Sequence, residues 1–369
     1  MKRLFHQIIS QPIDVTSESA TYGERRLSRS GLLREPIGRS MFAPAILVLV
    51  ALSSCTTTTA QQFRSDIGSP PTPWTHESFD APDGKFAFAI FSDLYGGERD
   101  RIFNIAVAQI NLLRPDLILS VGDLIDGGTE DVDVLRRQWA EFDEKISSAN
   151  APVFVVGGNH DLTNVTMRDV WVDRYGARYY YFVYKNVLFL MLDSEDYTEA
   201  RMAEIYEARA RSTYGDTESE YGRMQERLTG EIGHEQAKFF RQVLAEHPDV
   251  RWTFLLMHKP LWRNADANEF QSIEAVLAGR PYTVINGHFH TYSRVERNGR
   301  DYITLATTSG GQRASDKMSF DHLTLVTMGK AGPTIANLRL DGILNKAGVI
   351  PLDGGNLCYQ ASKCSSGED

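Results

Sequence analysis

The chain has 369 residues, of which 42% are hydrophobic and 24% charged, and its formal net charge at pH 7 is −9. This composition suits one large globular domain or two small ones, and it excludes a chain that is disordered throughout. The acidic balance argues against nonspecific binding to nucleic acid or anionic lipid. It does not exclude a phosphate ester as substrate, because bound cations can reverse the local field.

An uninterrupted apolar run near the N-terminus, FAPAILVLVAL at 42–52, is typical of the core of a secretory signal and is too short to cross a bilayer. It leads into LSSC, which resembles the cleavage box of bacterial lipoproteins. We therefore predict a leader over residues 1–54 and a lipid anchor on Cys55 as the only membrane attachment. The protein is then expected in the periplasm or at the cell surface. The alternative is a buried hydrophobic helix that ends in a cysteine, and the true start of translation stays open because so long a leader is unusual.

The segment that follows, residues 55–82, is rich in Thr, Ser and Pro and has few apolar groups. Such a composition cannot bury a core, so we predict a flexible tether.

From about residue 85, strand-like apolar runs alternate with amphipathic segments of helical length. Three such pairs are FAFAIFSD with RIFNIAVAQINLL, DLILSVGD with VDVLRRQWAEFDEKI, and PVFVVGGN with a short helix over 165–175. This alternation predicts an α/β fold with parallel strand pairs. Hairpins that turn at Lys185-Asn186 and at Asn298-Gly299 add antiparallel pairing.

Two later segments have less regular patterns. Residues 195–230 are dense in charge and tyrosine, and we interpret them either as a solvated helical insert or as a cap that helps to select the substrate. Residues 343–369 are predicted to form a C-terminal tail. Its two cysteines, Cys358 and Cys364, either close a small disulfide loop or remain free thiols.

Potential metal ligands stand at the ends of several strand-like runs: Asp93 after FAFAIFS, Asp123 in GDLID, Asn159 in GNHD, His258 in MHKP, and His288 and His290 in GHFH. These side chains can converge, because open α/β sheets form their binding crevice at the carboxyl edges of the strands. Mixed carboxylate, amide and imidazole donors suit Mn, Fe or Zn. Glycines beside the ligands allow the backbone to approach closely.

Taken in order, SDLY, GDLID, GNHD, MHKP and GHFH resemble the motifs of the calcineurin-like metallophosphoesterase superfamily, and the segments that follow resemble its secreted bacterial members. The resemblance covers residues 83–342. It implies two packed mixed β-sheets flanked by helices, a four-layer sandwich. It also implies hydrolysis of a phosphomonoester or phosphodiester, with a small phosphoester as the partner and no evident nucleic-acid surface.

The resemblance further implies a site with two divalent or trivalent metal ions, of Mn, Fe or Zn. Asp123 would bridge the ions, Asp93 and His290 would hold the first, and Asn159, His258 and His288 would complete the second. His160 would stabilise or protonate the leaving oxygen, with Asp161 a candidate to orient it. Asp126 would lie behind the ligands and orient them.

One position departs from the family pattern, because Tyr95 stands where the first motif would place a histidine ligand. Three interpretations stay open. Tyr95 ligates as a phenolate, or it only packs and leaves the first ion with fewer protein ligands, or the first site is lost. In the last case the chain would be a catalytically impaired relative that binds a phosphorylated ligand or a partner at the cell surface. The retention of Asp93, Asp123 and His290 favours the second interpretation.

His322 is a further candidate. It begins a strand shortly after the glycine-rich loop SGGQR, from which it could approach the metals.

Overall fold

The computed structural model describes residues 84–213, 216–266 and 268–364, and all of these belong to one compact unit of the chain. The predicted signal core, Cys55 and the tether lie outside the described residues. Within the described ranges, no helix combines the length and the apolar character that crossing a membrane requires.

Strands and helices follow one another in the predicted order. The strands are β1 Phe86–Phe91, β2 Leu117–Ser120, β3 Val153–Phe154, β4 Tyr180–Tyr184, β5 Val187–Met191, β6 Trp252–Met257, β7 Tyr282–Asn286, β8 Ser293–Arg297, β9 Arg300–Thr304, β10 His322–Gly329 and β11 Gly332–Arg339. The helices are α1 Ile102–Leu113, α2 Val132–Ile146, α3 Val165–Tyr175, α4 Glu199–Arg211, α5 Glu220–Arg223, α6 His234–Glu246 and α7 Asn268–Val276.

The strands form two mixed sheets. The first has the order β11-β10-β1-β2-β3 and the second has the order β4-β5-β6-β7-β9-β8. In the first sheet β1, β2 and β3 run parallel, while β10 is antiparallel to β1. In the second sheet β5, β6 and β7 are parallel neighbours. The carboxyl ends of three strands in each sheet therefore lie at one edge.

Three apolar clusters account for the layering. One fills the space between the sheets, where Phe88 of β1 makes edge contacts with Phe189 of β5 and Phe254 of β6, at centroid distances of 5.2 and 5.1 Å. A second joins the outer face of the first sheet to α1, α2 and α3. The third joins the outer face of the second sheet to α6 and α7. The result is the predicted four-layer arrangement of helices, sheet, sheet and helices.

Local signals explain where many elements begin and turn. Helix α2 starts after Asp131, whose carboxylate accepts from two backbone N–H groups of the first turn. Both predicted hairpins are present, and their turns take the left-handed conformation, with φ of 45° and 61° at Lys185 and Asn186.

Strand β3 is shorter than the sequence predicts, because only Val153 and Phe154 pair with β2. Beyond them the chain leaves the sheet, and the carbonyl of Val155 accepts from the hydroxyl of Tyr180 at 2.9 Å instead of from a neighbouring strand. The early end of β3 frees the backbone that carries Asn159 and His160.

The insert and the tail both pack onto the domain. Helix α4 buries Met202, Ile205 and Ala208, so the insert is not simply a solvated helix. In the tail, Cys358 and Cys364 are joined by a disulfide, and Tyr359 is buried against the cluster beneath α1.

Candidate metal centre

The six predicted ligands lie close to the carboxyl ends of strands from both sheets. Asp93, Asp123 and Asn159 follow β1, β2 and β3 of the first sheet, while the three histidines follow β6 and β7 of the second. The ligands therefore meet between the two sheets, at the edge where the parallel strands end.

Asp93, Asp123 and His290 form one group of donors. One donor atom from each lies within 4.8 Å of the other two. Nε2 of His290 is 3.3 Å from Oδ1 of Asp93. Both carboxylates are almost fully buried, with exposures of 0% and 2%. Burying two carboxylates and an imidazole together is costly unless a cation neutralises them, so the group fits a metal ion.

A second group surrounds His258. Its Nε2 is 3.2 Å from Oδ1 of Asn159 and 3.2 Å from Oδ2 of Asp123, and its ring centroid is 5.2 Å from that of His288. Asp123 is therefore shared by the two groups, as a bridging carboxylate requires.

Each ligand histidine directs one ring nitrogen at a backbone carbonyl. Nδ1 of His258 is 2.9 Å from Val121 O, Nδ1 of His290 is 2.6 Å from Gly311 O, and Nε2 of His288 is 2.8 Å from Arg227 O. A carbonyl can only accept, so these nitrogens carry a proton, and the other nitrogen of each ring is the one that can bind a metal ion. Metal-binding histidines are oriented in this way.

The backbone carrying the ligands is held in unusual conformations. Asp93, Asp123, His288 and His290 all have positive φ, between 48° and 79°. Glycines lie directly against the carboxylates, since a Cβ at Gly158 would be 2.3 Å from Oδ1 of Asp123 and one at Gly287 would be 2.4 Å from Oδ2 of Asp93. Strained, tightly packed backbone of this kind clusters at functional sites.

Electrostatic effects couple the ligands. Burial by itself raises the pKa of the Asp123 carboxyl, but His258 and His160 beside it outweigh burial and hold that pKa well below its ordinary value. Burial lowers the pKa of His258, yet Asp123 overcomes this and raises it to about 9. Burial, followed by the neighbouring His258, holds the pKa of His288 well below its ordinary value.

His160 lies beside the shared carboxylate. Its backbone N–H donates to Oδ1 of Asp123 at 2.9 Å, and its Nδ1 is 2.7 Å from the carbonyl of Asp126. Asp126 thus orients His160 through its backbone, while the residue itself is exposed. Burial lowers the pKa of His160 while the charge of Asp126 acts to raise it, and the idea that the Asp126 carboxylate orients the metal ligands stays a prediction.

Asp161 has a different role from the one predicted. Its carboxylate does not contact the His160 ring but accepts from the backbone N–H groups of Gly158, Asp123, Leu124 and Ile125, at 2.7 to 3.1 Å. It therefore fixes the loop that presents Asp123. Burial, followed by the charge of Asp123, raises the pKa of this carboxyl to about 7.

Tyr95 points away from the ligands. Its ring, 7% exposed, belongs to the cluster beneath α1 and α2, and its hydroxyl lies 3.4 Å from Nζ of Lys145 on α2. Burial, followed by the charge of Glu98, raises the pKa of this hydroxyl, which disfavours a phenolate.

Gly96, rather than Tyr95, faces the site. A Cβ at position 96 would lie 3.0 Å from Cε1 of His290 and 3.6 Å from Nε2 of His160. The missing Cβ at position 96 thus lets the backbone lie close against the His290 and His160 rings.

His322 does not present a nitrogen to the ligand groups in the way that the other histidines do. Its Nε2 accepts from the backbone N–H of Ala306 at 3.0 Å, and burial lowers the pKa of the ring to about 4. It is a buried residue that begins β10, and with Nε2 bonded to this N–H group its approach to the metals stays a prediction.

Sequence reasoning missed one neighbour of the site, Arg209 on α4. Its guanidinium lies 3.3 Å from Nε2 of His160. No motif marks this arginine, and it is separated from His160 by 49 positions in the chain. The only sequence signal was the interpretation of residues 195–230 as a cap.

A family model described as calcineurin-like phosphoesterase matches residues 86–292. No match to the sequence was found among curated proteins. Among solved structures, a dimetal phosphatase from Danio rerio is 16% identical, with 69% of this chain and 99% of that chain covered and a TM-score of 0.47. A purple acid phosphatase from Lupinus luteus is 12% identical, with 70% and 52% covered and a TM-score of 0.47.

A further similar structure is GAP50 of Plasmodium, the anchor in the inner membrane complex, at 13% identity, 72% and 87% coverage and a TM-score of 0.47. These likenesses are distant, and the family model gives the assignment, since it spans more than half of the chain and contains all the strand ends described above. The chain belongs to the calcineurin-like phosphoesterase family.

Proposed function

We propose that the protein hydrolyses a phosphomonoester or phosphodiester with two metal ions, of Mn, Fe or Zn. Asp93, Asp123 and His290 would hold one ion, and Asp123 with Asn159, His258 and His288 would hold the other. The observation that carries the proposal is the position of Asp123, whose carboxylate is shared by both donor groups.

Bound cations would offset the negative charge of the phosphoryl group and lower the pKa of a water molecule, which makes attack on phosphorus feasible. His160 is placed for the other half of the reaction. Because its Nδ1 donates to the Asp126 carbonyl, Nε2 is the nitrogen that can take up a proton and pass it to the leaving oxygen.

Tyr95 enters this proposal as a packing residue. Its buried hydroxyl faces Lys145, and its pKa is raised, both of which argue against a phenolate ligand. The first ion would then have Asp93, Asp123 and His290 as its protein ligands.

The proposal includes location. We expect export to the periplasm or cell surface with a lipid on Cys55, for which the apolar run at 42–52 and the LSSC sequence are the support.

The test is hydrolysis of p-nitrophenyl phosphate and bis(p-nitrophenyl) phosphate by protein stripped of metal and then supplied with Mn, Fe or Zn. Loss of the proton donor in His160→Ala is expected to lower turnover by roughly 100-fold or more. His234→Ala is the matched control, since this exposed histidine pairs with the surface residue Glu269. If the parent binds inorganic phosphate but shows no metal-dependent turnover, the catalytically impaired alternative is favoured instead.

A further inference from the structure

Helix α4 of the insert places one positively charged side chain, Arg209, beside His160. Nη2 of Arg209 is 3.3 Å from Nε2 of His160, and Nη1 is 3.3 Å from the carbonyl of Asn159 and 3.2 Å from Oγ1 of Thr163. Because an arginine can only donate, Nε2 of His160 accepts here. All three partners of the guanidinium are neutral groups.

Within the part of the chain that the structure describes, the guanidinium of Arg209 therefore has no carboxylate among its hydrogen-bond partners. The other arginines at the two ends of α4 are paired, Arg201 with Glu204 and Glu226, and Arg211 with Glu207 and Glu220. Lys259, the residue after the ligand His258, is paired with Glu195 at 2.8 Å. In the described ranges, by contrast, no carboxylate forms an ion pair with Arg209, although this side chain is partly buried.

A partly buried cation that contacts only neutral acceptors gains most when an anion arrives. His160 contacts both groups, since its backbone N–H donates to Oδ1 of Asp123 and its Nε2 accepts from Arg209. A phosphoryl group bound at the metal centre beside His160 is within reach of this guanidinium, which can give up the neutral Nε2 for a charged oxygen. The planar fork of an arginine suits two oxygens of one phosphate.

We propose that Arg209 binds the phosphoryl group of the substrate and makes the site prefer phosphomonoesters to phosphodiesters. This inference rests on the proposed function. A monoester carries up to two negative charges on its terminal oxygens at neutral pH, whereas a diester carries one and has one terminal oxygen fewer. The positive charge of Arg209 therefore stabilises a bound monoester more than a bound diester. The insert thereby contributes to substrate specificity.

The experiment compares the parent with Arg209→Gln, Arg209→Lys and the control Arg211→Gln, which removes an exposed arginine from the same helix. Two quantities are measured in each metal-loaded protein. One is kcat/KM for p-nitrophenyl phosphate and for its bis ester, and the other is the dissociation constant of inorganic phosphate, measured by calorimetry. We expect Arg209→Gln to lower kcat/KM for the monoester by about 30-fold, the effect of one charge-assisted hydrogen bond. For the diester, kcat/KM should fall by less than about 5-fold, because its single negative charge is stabilised less by the Arg209 cation.

Phosphate binding should weaken in parallel in Arg209→Gln, recover partly in Arg209→Lys, and stay unchanged in Arg211→Gln. Equal losses for both esters would overturn the specificity role, as would unchanged phosphate affinity in Arg209→Gln. If the parent hydrolyses neither ester, the proposed function fails, but phosphate affinity still decides whether Arg209 binds the anion. A melting temperature equal to the parent's shows that each variant is folded.

Discussion

At the level of single residues, the candidate metal site depends on how closely the backbone approaches the ligand side chains. Gly96 has a φ of 77°, and its missing Cβ lets the backbone lie close to His290 and His160. A methyl group there would press on the His290 ring, whose Nδ1 is held by the carbonyl of Gly311. The ring has little room to retreat, so its position relative to Asp93 would change.

We therefore expect Gly96→Ala to weaken metal binding by about 10- to 100-fold, the range found when groups that orient a ligand are disturbed. Titration of metal-free protein with Mn or Zn measures this. Gly279→Ala is the matched control, because Gly279 has nearly the same φ, 79°, and nothing within 4 Å of its Cβ position. If both variants lose affinity equally, backbone strain and not contact with His290 is responsible.

Tyr95 gives a second prediction. Tyr95→Phe removes a hydroxyl that lies near Lys145 and keeps the ring that packs beneath α1 and α2. Metal content and turnover should stay within about twofold of the parent, with a loss of free energy of unfolding of about 1 kcal/mol from the hydroxyl contact. Metal analysis after dialysis measures the first quantity. A variant that no longer retains metal would show that the hydroxyl is a ligand.

At the level of structural elements, the loop between β9 and β10 joins the C-terminal tail to the metal centre. Arg99 donates to the carbonyls of Gly310 and Cys358 and pairs with Asp321, which precedes β10. The neighbouring carbonyl of Gly311 accepts from Nδ1 of His290. Arg99 and Asp321 thus connect the disulfide loop to the segment that orients a ligand.

This connection predicts a dependence of stability on pH. Burial raises the pKa of Asp321 to about 7, even though Arg99 acts in the opposite direction. Between pH 4 and pH 7 the folded protein then keeps a proton on this carboxyl that the unfolded chain has lost. Its contribution to stability is therefore fully present below about pH 4 and is lost as the pH rises towards 7.

The measurement is the free energy of unfolding of metal-free parent and Asp321→Asn, by denaturant titration at several pH values. The parent's stability relative to the variant should fall between pH 4 and pH 7, because the amide does not titrate. A flat or rising difference would mean that Arg99 keeps the carboxylate ionised throughout.

Considered as a whole, the molecule places its ligands on two sheets. Asp93, Asp123 and Asn159 belong to the first sheet, and His258, His288 and His290 belong to the second. Metal ions bound between them would tie the sheets together at one edge of the shared apolar layer. Binding should therefore stabilise the global fold and not just the loops.

We expect the melting temperature of metal-free protein to rise when Mn or Zn is added, with a gain of about 2.7 kcal/mol for each site at a free metal concentration 100 times its dissociation constant. Asp123→Asn should lose most of the shift, because Asp123 is shared by both donor groups. Calorimetry with and without chelator measures this. An unchanged melting temperature in the parent would contradict a metal centre between the sheets.

The parts of the fold that could be predicted from the sequence are those determined by residues close together in the chain. Helix α2 and the turn at Lys185-Asn186 are marked by a capping carboxylate and by residues that tolerate positive φ, and both occur where predicted. The early end of β3 is accompanied instead by a contact with the Tyr180 hydroxyl, which belongs to a later strand. Nothing within PVFVVGGN indicates that contact.

The ligand motifs of the site could likewise be identified from the sequence, since they occur in order along the chain at strand ends and beside glycines. The roles of Asp161 and Asp126 were not, because adjacency to His160 does not reveal whether a side chain or a carbonyl faces it. The conformation decides, and here Asp161 turns to four backbone N–H groups while Asp126 offers its carbonyl.

The sequence by itself thus determined the α/β class, the family and the set of candidate ligands, because periodicity and short motifs are local properties. The direction of Tyr95, the close approach of Gly96 to His290 and the position of Arg209 beside His160 were decided by tertiary structure. Each depends on packing between segments far apart in the chain, α2 against the end of β1 and α4 against the loop after β3. Such packing is a property of the folded core and leaves no mark in any single stretch of sequence.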